Sequence, residues 1–422
     1  MNASFKFGKE TVKVNIGSGN LLGSLNPNIK KRKIDEKGII SSELLKPIKS
    51  ELLKDFIKKN EKVLIVVPDK TRVSRLKTVM PILLDEIKKA GVGRDRTGII
   101  FANGSHLSQT EEEKISLIGK KIYTSYKVFE HNAFNFEKMY YAGKTSFGTR
   151  IYLNKVLKEY DKIVTIGAVS HHYFAGFGGG AKMILPGLAY QSTIEVNHKR
   201  SIYKNKLNDK CKSGELNGNP VYKDLIQAVK YCPPIFSINL ILDEKGKIVI
   251  AKTGNIIEAH KKITNDLNKL YRIKIDKLAD LVICSCGGYP KDINIIQTHK
   301  TIYNAFQAVK KGGVIICFAE CADTVGSNTF LKWFDVNDEG LRHIKRNYTL
   351  NAQTALSVRD KAKQVKIILI SKLKKTLVKK MNFVPASNFE EAIKIAKKVL
   401  PIDYKYYIIK NSSLVLPHFK RS

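Results

Sequence analysis

Three apolar runs, each ending in a polar loop, restrict this 422-residue chain to an α/β fold. They are "KVLIVVPD" (62–69), "TGIIFANGSH" (97–106) and "YDKIVTIGAVSHHYF" (160–174). Strands that are apolar along both faces must be covered on both, which is the condition of a parallel sheet flanked by helices. The connecting segments agree. "PIKSELLKDFIKK" (47–59) has helical spacing, and "LKTVMPILLDEIKKAGV" (76–92) reads as a helix stopped by Gly91. In such a sheet ligands bind at the carboxyl ends of the strands. The loops DKTR, ANGSH and SHHYFAGFGGG all fall there.

A second unit follows. "FSINLILDEKGKIVIAKTGN" (236–255) reads as a hairpin over Glu244-Lys245-Gly246, and a break is expected near 265–275. Beyond it, 279–321 runs strand, polar loop, helix, a Gly312-Gly313 stop and strand, a compact βαβ. The expected architecture is therefore two Rossmann-like α/β domains whose parallel-sheet cores face each other across an interdomain cleft. The first would span 1–268, with 401–422 open to a return to it, and the second 273–400. Clefts of this kind are common small-molecule sites.

Composition narrows the class. The chain is 43% hydrophobic and 27% charged, as in globular proteins, and no apolar run reaches the roughly 18–20 residues of a membrane span. The N-terminal stretch lacks the basic-then-apolar layout of a signal peptide, so a cytoplasmic location is expected. Six cysteines form no C-x-x-C pair, so neither a zinc ribbon nor a thioredoxin-type motif is supported, and buried reduced thiols are expected. Cys284 and Cys286 should share one face of a strand. Lys+Arg 74 against Asp+Glu 38 leaves a net charge of +36, a field that attracts anions. The basic residues are spread along the chain, as in the KKRK run at 30–33, without a dense arm or a zinc-finger pattern, so a lysine-rich surface is the leading reading.

The segment "GFGGGAK" (176–182) invites comparison with phosphate loops, and both standard patterns fail. A P-loop needs glycine before the lysine and a hydroxyl after it, whereas Ala181 and Met183 flank Lys182. The dinucleotide pattern does not fit around Gly176–Gly180 either. The glycines then serve tight turns and close backbone approach. Of nine histidines, His131, His260, His343 and His418 sit in polar or mixed segments and read as surface or capping residues. His106 and His172 end strand–loop units, and His198 follows in "VNHKR". Two imidazoles on opposite sides of a substrate can each give and take a proton, and a third suits nickel, copper or zinc. A lysine relieved of its charge is a nucleophile or covalent anchor. Asp69 and Arg72, with Lys300 after Gln297, offer a clamp for a carboxylate or phosphate.

Together these stretches resemble the nickel-dependent lactate racemases and their 2-hydroxyacid racemase relatives over nearly the whole chain. The resemblance is carried by "VPDKTR" (67–72), "FANGSH" (101–106), 167–189, "VNHKR" (196–200), "NGNPVY" (217–222) and "CGGYPKDINIIQTHK" (286–300). It implies a nickel-pincer nucleotide, a pyridinium mononucleotide whose two sulfur arms and a ring carbon hold nickel. Lys182 then matches the tethering lysine, His198 the protein ligand to nickel, and His106 and His172 the acid–base pair. Asp69, Lys70, Thr71 and Arg72 fall where the family contacts the cofactor, Gln297 and Lys300 where it contacts substrate. The implied reaction is racemisation of a 2-hydroxycarboxylate by hydride transfer through a 2-keto acid, with cofactor-biosynthesis and nickel-insertion enzymes as partners. Asn103 and Ser105 depart from the family's usual A-T-G-T-H, Val73 replaces a common proline, and Gly178 replaces a frequent hydroxyl residue. The alternative is an anion- or nucleic-acid-binding protein on the same scaffold, motivated by the charge alone.

Overall fold

The computed structural model describes residues 2–17, 20–29 and 35–419, so the basic run at 30–33 lies outside the described residues. Two six-stranded sheets organise the chain. In the first, the order is Ile248–Asn255, Ile235–Leu242, Lys162–Ala168, Val63–Pro68, Thr97–Ala102, Lys127–Glu130. Its first pair is the expected antiparallel hairpin and every other pair is parallel. Every residue of Val63–Pro68 and Ile235–Leu242 is buried. Both faces are indeed covered. Helices Glu36–Leu44 and Leu76–Lys89 pack on one, and the stretch from Ala181 to Ala189 with Leu153, Leu157 and Leu225 packs on the other.

Successive strands Val63–Pro68, Thr97–Ala102 and Lys127–Glu130 run outward in one direction, while Lys162–Ala168 returns to the opposite side of Val63–Pro68. The strand order therefore reverses between Val63–Pro68 and Lys162–Ala168. A crevice opens at the carboxyl ends of such a pair because the following loops diverge. Those loops are DKTR and SHHYF.

The second sheet has the order Val384–Ala386, Lys366–Ile370, Val309–Phe318, Ala279–Ser285, Tyr406–Ile409, Leu21–Ser24, all parallel. Its reversal lies between Ala279–Ser285 and Tyr406–Ile409, so the 286–294 loop opens the second crevice. Helices Ile295–Phe306 and Ala352–Gln364 cover one face. The Asn2–Phe7/Glu10–Asn15 hairpin and helix Phe389–Lys397 cover the other, with Phe5 stacked on Phe318 at 4.7 Å. Cys284, Cys286, Cys317 and Cys321 are buried in one cluster, and the six cysteines are free thiols.

Several local expectations change. Both chain ends join the second sheet through Leu21–Ser24 and Tyr406–Ile409, so residues 2–25 do not pack with the first sheet and 406–409 does not return to it. An apolar edge strand pairs where an open edge is offered, which the local pattern of either terminus leaves undetermined. The break expected near 265–275 is helical up to Tyr271, and Ile263, Leu267 and Tyr271 pack on the hairpin of the first sheet. The helix expected over 47–59 is reduced to Leu53–Phe56, because Ile48 is taken into a bridge with Gly254. Gly312 and Gly313 lie inside the strand Val309–Phe318 rather than at the helix stop, which falls at Gln307. No helix among the described residues is long and apolar enough to cross a membrane.

Candidate functional site

One cleft of about 490 Å³ is lined by loops of both sheets. Asp69, Thr71, Arg72, His106, His172, Lys182, His198, Gln297 and Lys300 all reach it. Lys70 does not. Its ammonium turns away to Glu113 at 2.6 Å and its backbone N–H donates to Gln109, so the side chain expected to touch a cofactor serves the loop instead.

The DKTR loop is organised by its aspartate. The backbone N–H and hydroxyl of Thr71 donate to Asp69 Oδ1 at 2.7 and 2.6 Å, an Asx turn. Oδ2 receives the His106 Nδ1 at 2.6 Å. Burial of Asp69 opposes its charge, but the His106 ring, Arg72 and the hydroxyl of Thr71 outweigh it and hold the carboxyl well below the usual range. An ionised carboxylate can only accept, so His106 donates from Nδ1, and proton exchange with a substrate is left to Nε2. Asn103 is buried and bonded to Glu130 and Gln109, which anchors the loop that presents His106.

His172 is hydrogen-bonded the other way round. The Ala175 N–H donates to its Nδ1 at 3.3 Å, which makes Nδ1 the acceptor and puts the proton of the neutral ring on Nε2. Burial, followed by Lys182, Lys300, Arg72 and His198, pushes this imidazole well below its ordinary value. Its ring stacks on Tyr173 at 5.3 Å, and Tyr173 meets the edge of buried His299 at 4.2 Å. His171 turns the other way, to Asn268 at 2.9 Å and the Leu414 carbonyl at 3.5 Å, so it ties the loop to both sheets.

Lys182 sits in the tight Gly180–Met183 turn. The turn is entered through Gly179 and Gly180, whose φ of +72° and +53° lie in the left-handed region. Its ammonium lies over the Phe174 ring at 5.4 Å, and among the described residues no carboxylate pairs with it. Burial and then Arg72 push it down to about 7, so a large fraction is neutral amine near neutral pH. His198, on helix Gln191–Lys199, packs edge-on to Phe174 at 4.8 Å. Burial and Lys182 push its ring down to about 3, and its Nδ1 is buried without a hydrogen-bond partner. The helix is fixed from below: Asn197 and Arg200 both donate to Asp224 Oδ2 at 3.0 Å, and Thr145 and Thr149 donate to the same carboxylate.

The second sheet contributes the start of helix Ile295–Phe306 together with the loops around 287–291, 350–354 and 413–414. Asn294 caps helix Ile295–Phe306 by accepting the Gln297 N–H at 3.1 Å, and Lys300 Nζ donates to Gln297 Oε1 at 2.6 Å. Burial, then Arg72 and Lys182, pushes the Lys300 ammonium well below its ordinary value. Arg72 and Lys300 face the cleft together, a pair of N–H donors suited to a carboxylate.

Sequence reasoning missed three buried groups behind this surface: Asp224, His260 and His299. His260 was expected at the surface but is buried beneath the glycine loop, and His131 is likewise buried, bonded to Asn154 and the Ala189 carbonyl. A helix pattern was the available signal for His260. Ala259, Ile263 and Leu267 mark the apolar face of Glu258–Tyr271 on which it lies.

The lactate racemase N-terminal domain model matches residues 7–209 and the lactate racemase C-terminal domain model matches 275–416. The lactate racemase of Thermoanaerobacterium thermosaccharolyticum is 32% identical over 426 residues, covering 98% of this chain and 99% of that one. The lactate racemase of Lactiplantibacillus plantarum is 31% identical over 77% of this chain and 76% of its own length. The solved apoprotein of the Thermoanaerobacterium racemase superposes with a TM-score of 0.89 at 30% identity, covering 99% of this chain and all of that one. A Thermotoga maritima structure, 18% identical with a TM-score of 0.70 over 92% of this chain and 99% of its own, shares the fold.

Proposed function

Since the chain belongs to the lactate racemase family, and is accordingly an isomerase, we propose that it interconverts the enantiomers of lactate or a closely related 2-hydroxycarboxylate. The observation that carries the chemistry is that both cleft histidines have Nδ1 engaged, one by Asp69 and the other by the Ala175 N–H, so each exchanges its proton through Nε2. A racemase working through a hydroxyl proton needs one base and one acid at a time. His106, oriented by its Nδ1 donation to Asp69, takes the proton at Nε2, and His172, whose Nδ1 accepts from Ala175, gives one from Nε2 when its ring is the imidazolium.

In this reading Arg72 and Lys300 bind the substrate carboxylate and Gln297 orients it. His106 accepts the hydroxyl proton of one enantiomer as the α-carbon becomes planar, giving a 2-keto acid. His172, when its ring is the imidazolium, delivers a proton to the oxygen as the centre is rebuilt with the other hand. Reversal of the two protonation states returns the site for the opposite direction. General acid–base help of this kind is typically worth about 10²–10⁴-fold in rate.

The residues fit the nickel-pincer nucleotide of the family. Among the described residues no three His, Cys, Asp or Glu side chains converge on one metal position. A metal placed here would draw one ligand from His198, whose buried Nδ1 has no hydrogen-bond partner among the described residues, and the remaining ligands from a cofactor. Lys182, without a carboxylate partner, is the amine that would tether it, and Asp69, Thr71 and Arg72 line the approach. When bound, this group supplies the acceptor and donor of the α-hydride. Its presence implies cofactor-biosynthesis and nickel-insertion enzymes as partners.

Co-production with those enzymes, followed by intact mass and nickel analysis, tests the reading. We expect a mass increment mapping to Lys182 and lost in Lys182→Ala. His106→Ala and His172→Ala should retain the increment while racemisation falls at least 100-fold. An increment on another residue, or an active His106→Ala, would overturn the assignment.

A further inference from the structure

His260 belongs to no step above, yet it lies directly under the loop that carries Lys182. It is buried on helix Glu258–Tyr271, and its Nε2 meets the Gly178 carbonyl at 2.8 Å. A carbonyl only accepts, so Nε2 bears the proton and Nδ1 is bare. That Nδ1 is buried without a hydrogen-bond partner. For packing alone an apolar side chain would serve with no nitrogen left unpaired. What histidine adds is the N–H to Gly178.

The contact is fitted on the loop side as well. Gly180 has φ +53°, and a Cβ there would lie 2.5 Å from His260 Cγ. The Gly180 N–H is held separately by Asn239 Oδ1 at 3.2 Å, and the Lys182 N–H by the Gly179 carbonyl at 3.1 Å. Two side chains from different elements thus grip the loop at Gly178 and Gly180, and the backbone bond transmits that grip to Lys182. Burial keeps the imidazole neutral, so it supports the loop without adding a second positive charge beside the lysine.

We propose that His260 is a positioning residue of the tether: its hydrogen bond to Gly178 and its fit beneath Gly180 aim Lys182 into the cleft and keep water from its amine. The proposal rests on Lys182 being the reactive lysine of the proposed function. Both can be tested on the full chain produced without cofactor. The protein is acetylated briefly at pH 7.5, and labelling of Lys182 relative to exposed Lys62 is read by peptide mass spectrometry. Wild type should label Lys182 preferentially. His260→Leu, which packs without a donor, should lower the ratio at least fivefold. His260→Gln, which restores an N–H of similar reach, should stay within twofold of wild type. Thermal melts of each variant identify global unfolding, and His260→Asn, too short to reach Gly178, replaces the leucine variant if that fails to fold. No preference in wild type overturns the reading of Lys182 itself. Preference in wild type with an unchanged ratio in His260→Leu, or equal loss in His260→Gln, overturns the role of His260.

Discussion

At the scale of single residues, one carboxylate determines what His106 can do. Both Thr71 donors require Asp69 Oδ1 to accept, and Oδ2 is left for His106. In Asp69→Asn the amide oxygen would stay with Thr71, so the amide nitrogen would face the ring and donate to Nδ1. That moves the imidazole proton to Nε2 and removes the base. We expect kcat to fall about 10²–10⁴-fold, in the range of general-base catalysis, with the Lys182 mass increment unchanged. The same carboxylate gives a pH signature. Its folded pKa is depressed, so its stabilisation is complete above the unfolded carboxylate value of about 4 and is lost as pH falls below it. The melting-temperature gap between wild type and Asp69→Asn should be full at neutral pH and close in acid. A gap that widens in acid would contradict the pairing.

Elements carry these residues to the cleft with different degrees of local encoding. Asn294 is a cap whose partner is three residues away, and the pattern N-x-x-Q at a helix start can be read from sequence. Asn294→Ala should cost about 0.5–2 kcal/mol of stability. It should also raise KM more than it lowers kcat, because Gln297 and Lys300 sit in the turns that the cap orders. An equal loss of kcat with unchanged KM would place the helix end outside substrate binding. The helix of His198 is the opposite case. Its anchor is Asp224, and the groups that meet there come from 145, 149, 197 and 200. No periodicity in 191–200 announces a buried carboxylate 24 residues further on. Lys70 shows the same limit, since its neighbours in DKTR enter the cleft while its own side chain finds Glu113.

For the whole molecule, the chain ends matter most. Residues 2–25 supply an edge strand and a hairpin that covers one face of the second sheet. Deleting them would expose Leu281, Ile283, Val314 and Phe318 to water, at about 25 cal/mol for each Å² of apolar surface uncovered. Hydrogen exchange on such a deletion should therefore accelerate over 281–285 and 406–409 while 63–68 stays protected. Equal acceleration in both sheets would mean that the two fold as one unit.

The sequence by itself determined that this chain builds parallel sheets, that polar loops crown the strand ends, and that a lysine following a glycine run and several histidines share those ends. These are properties of local pattern. Continuous apolar runs need cover on both faces, and left-handed turns need glycine. Only the tertiary structure decided that both termini close the second sheet and that Lys70 leaves the cleft. It also decided which nitrogen of His106 and of His172 holds the proton, and that His260 supports the lysine loop. Each of those depends on a hydrogen bond or strand edge whose partner is set by packing, mostly from dozens to hundreds of residues away.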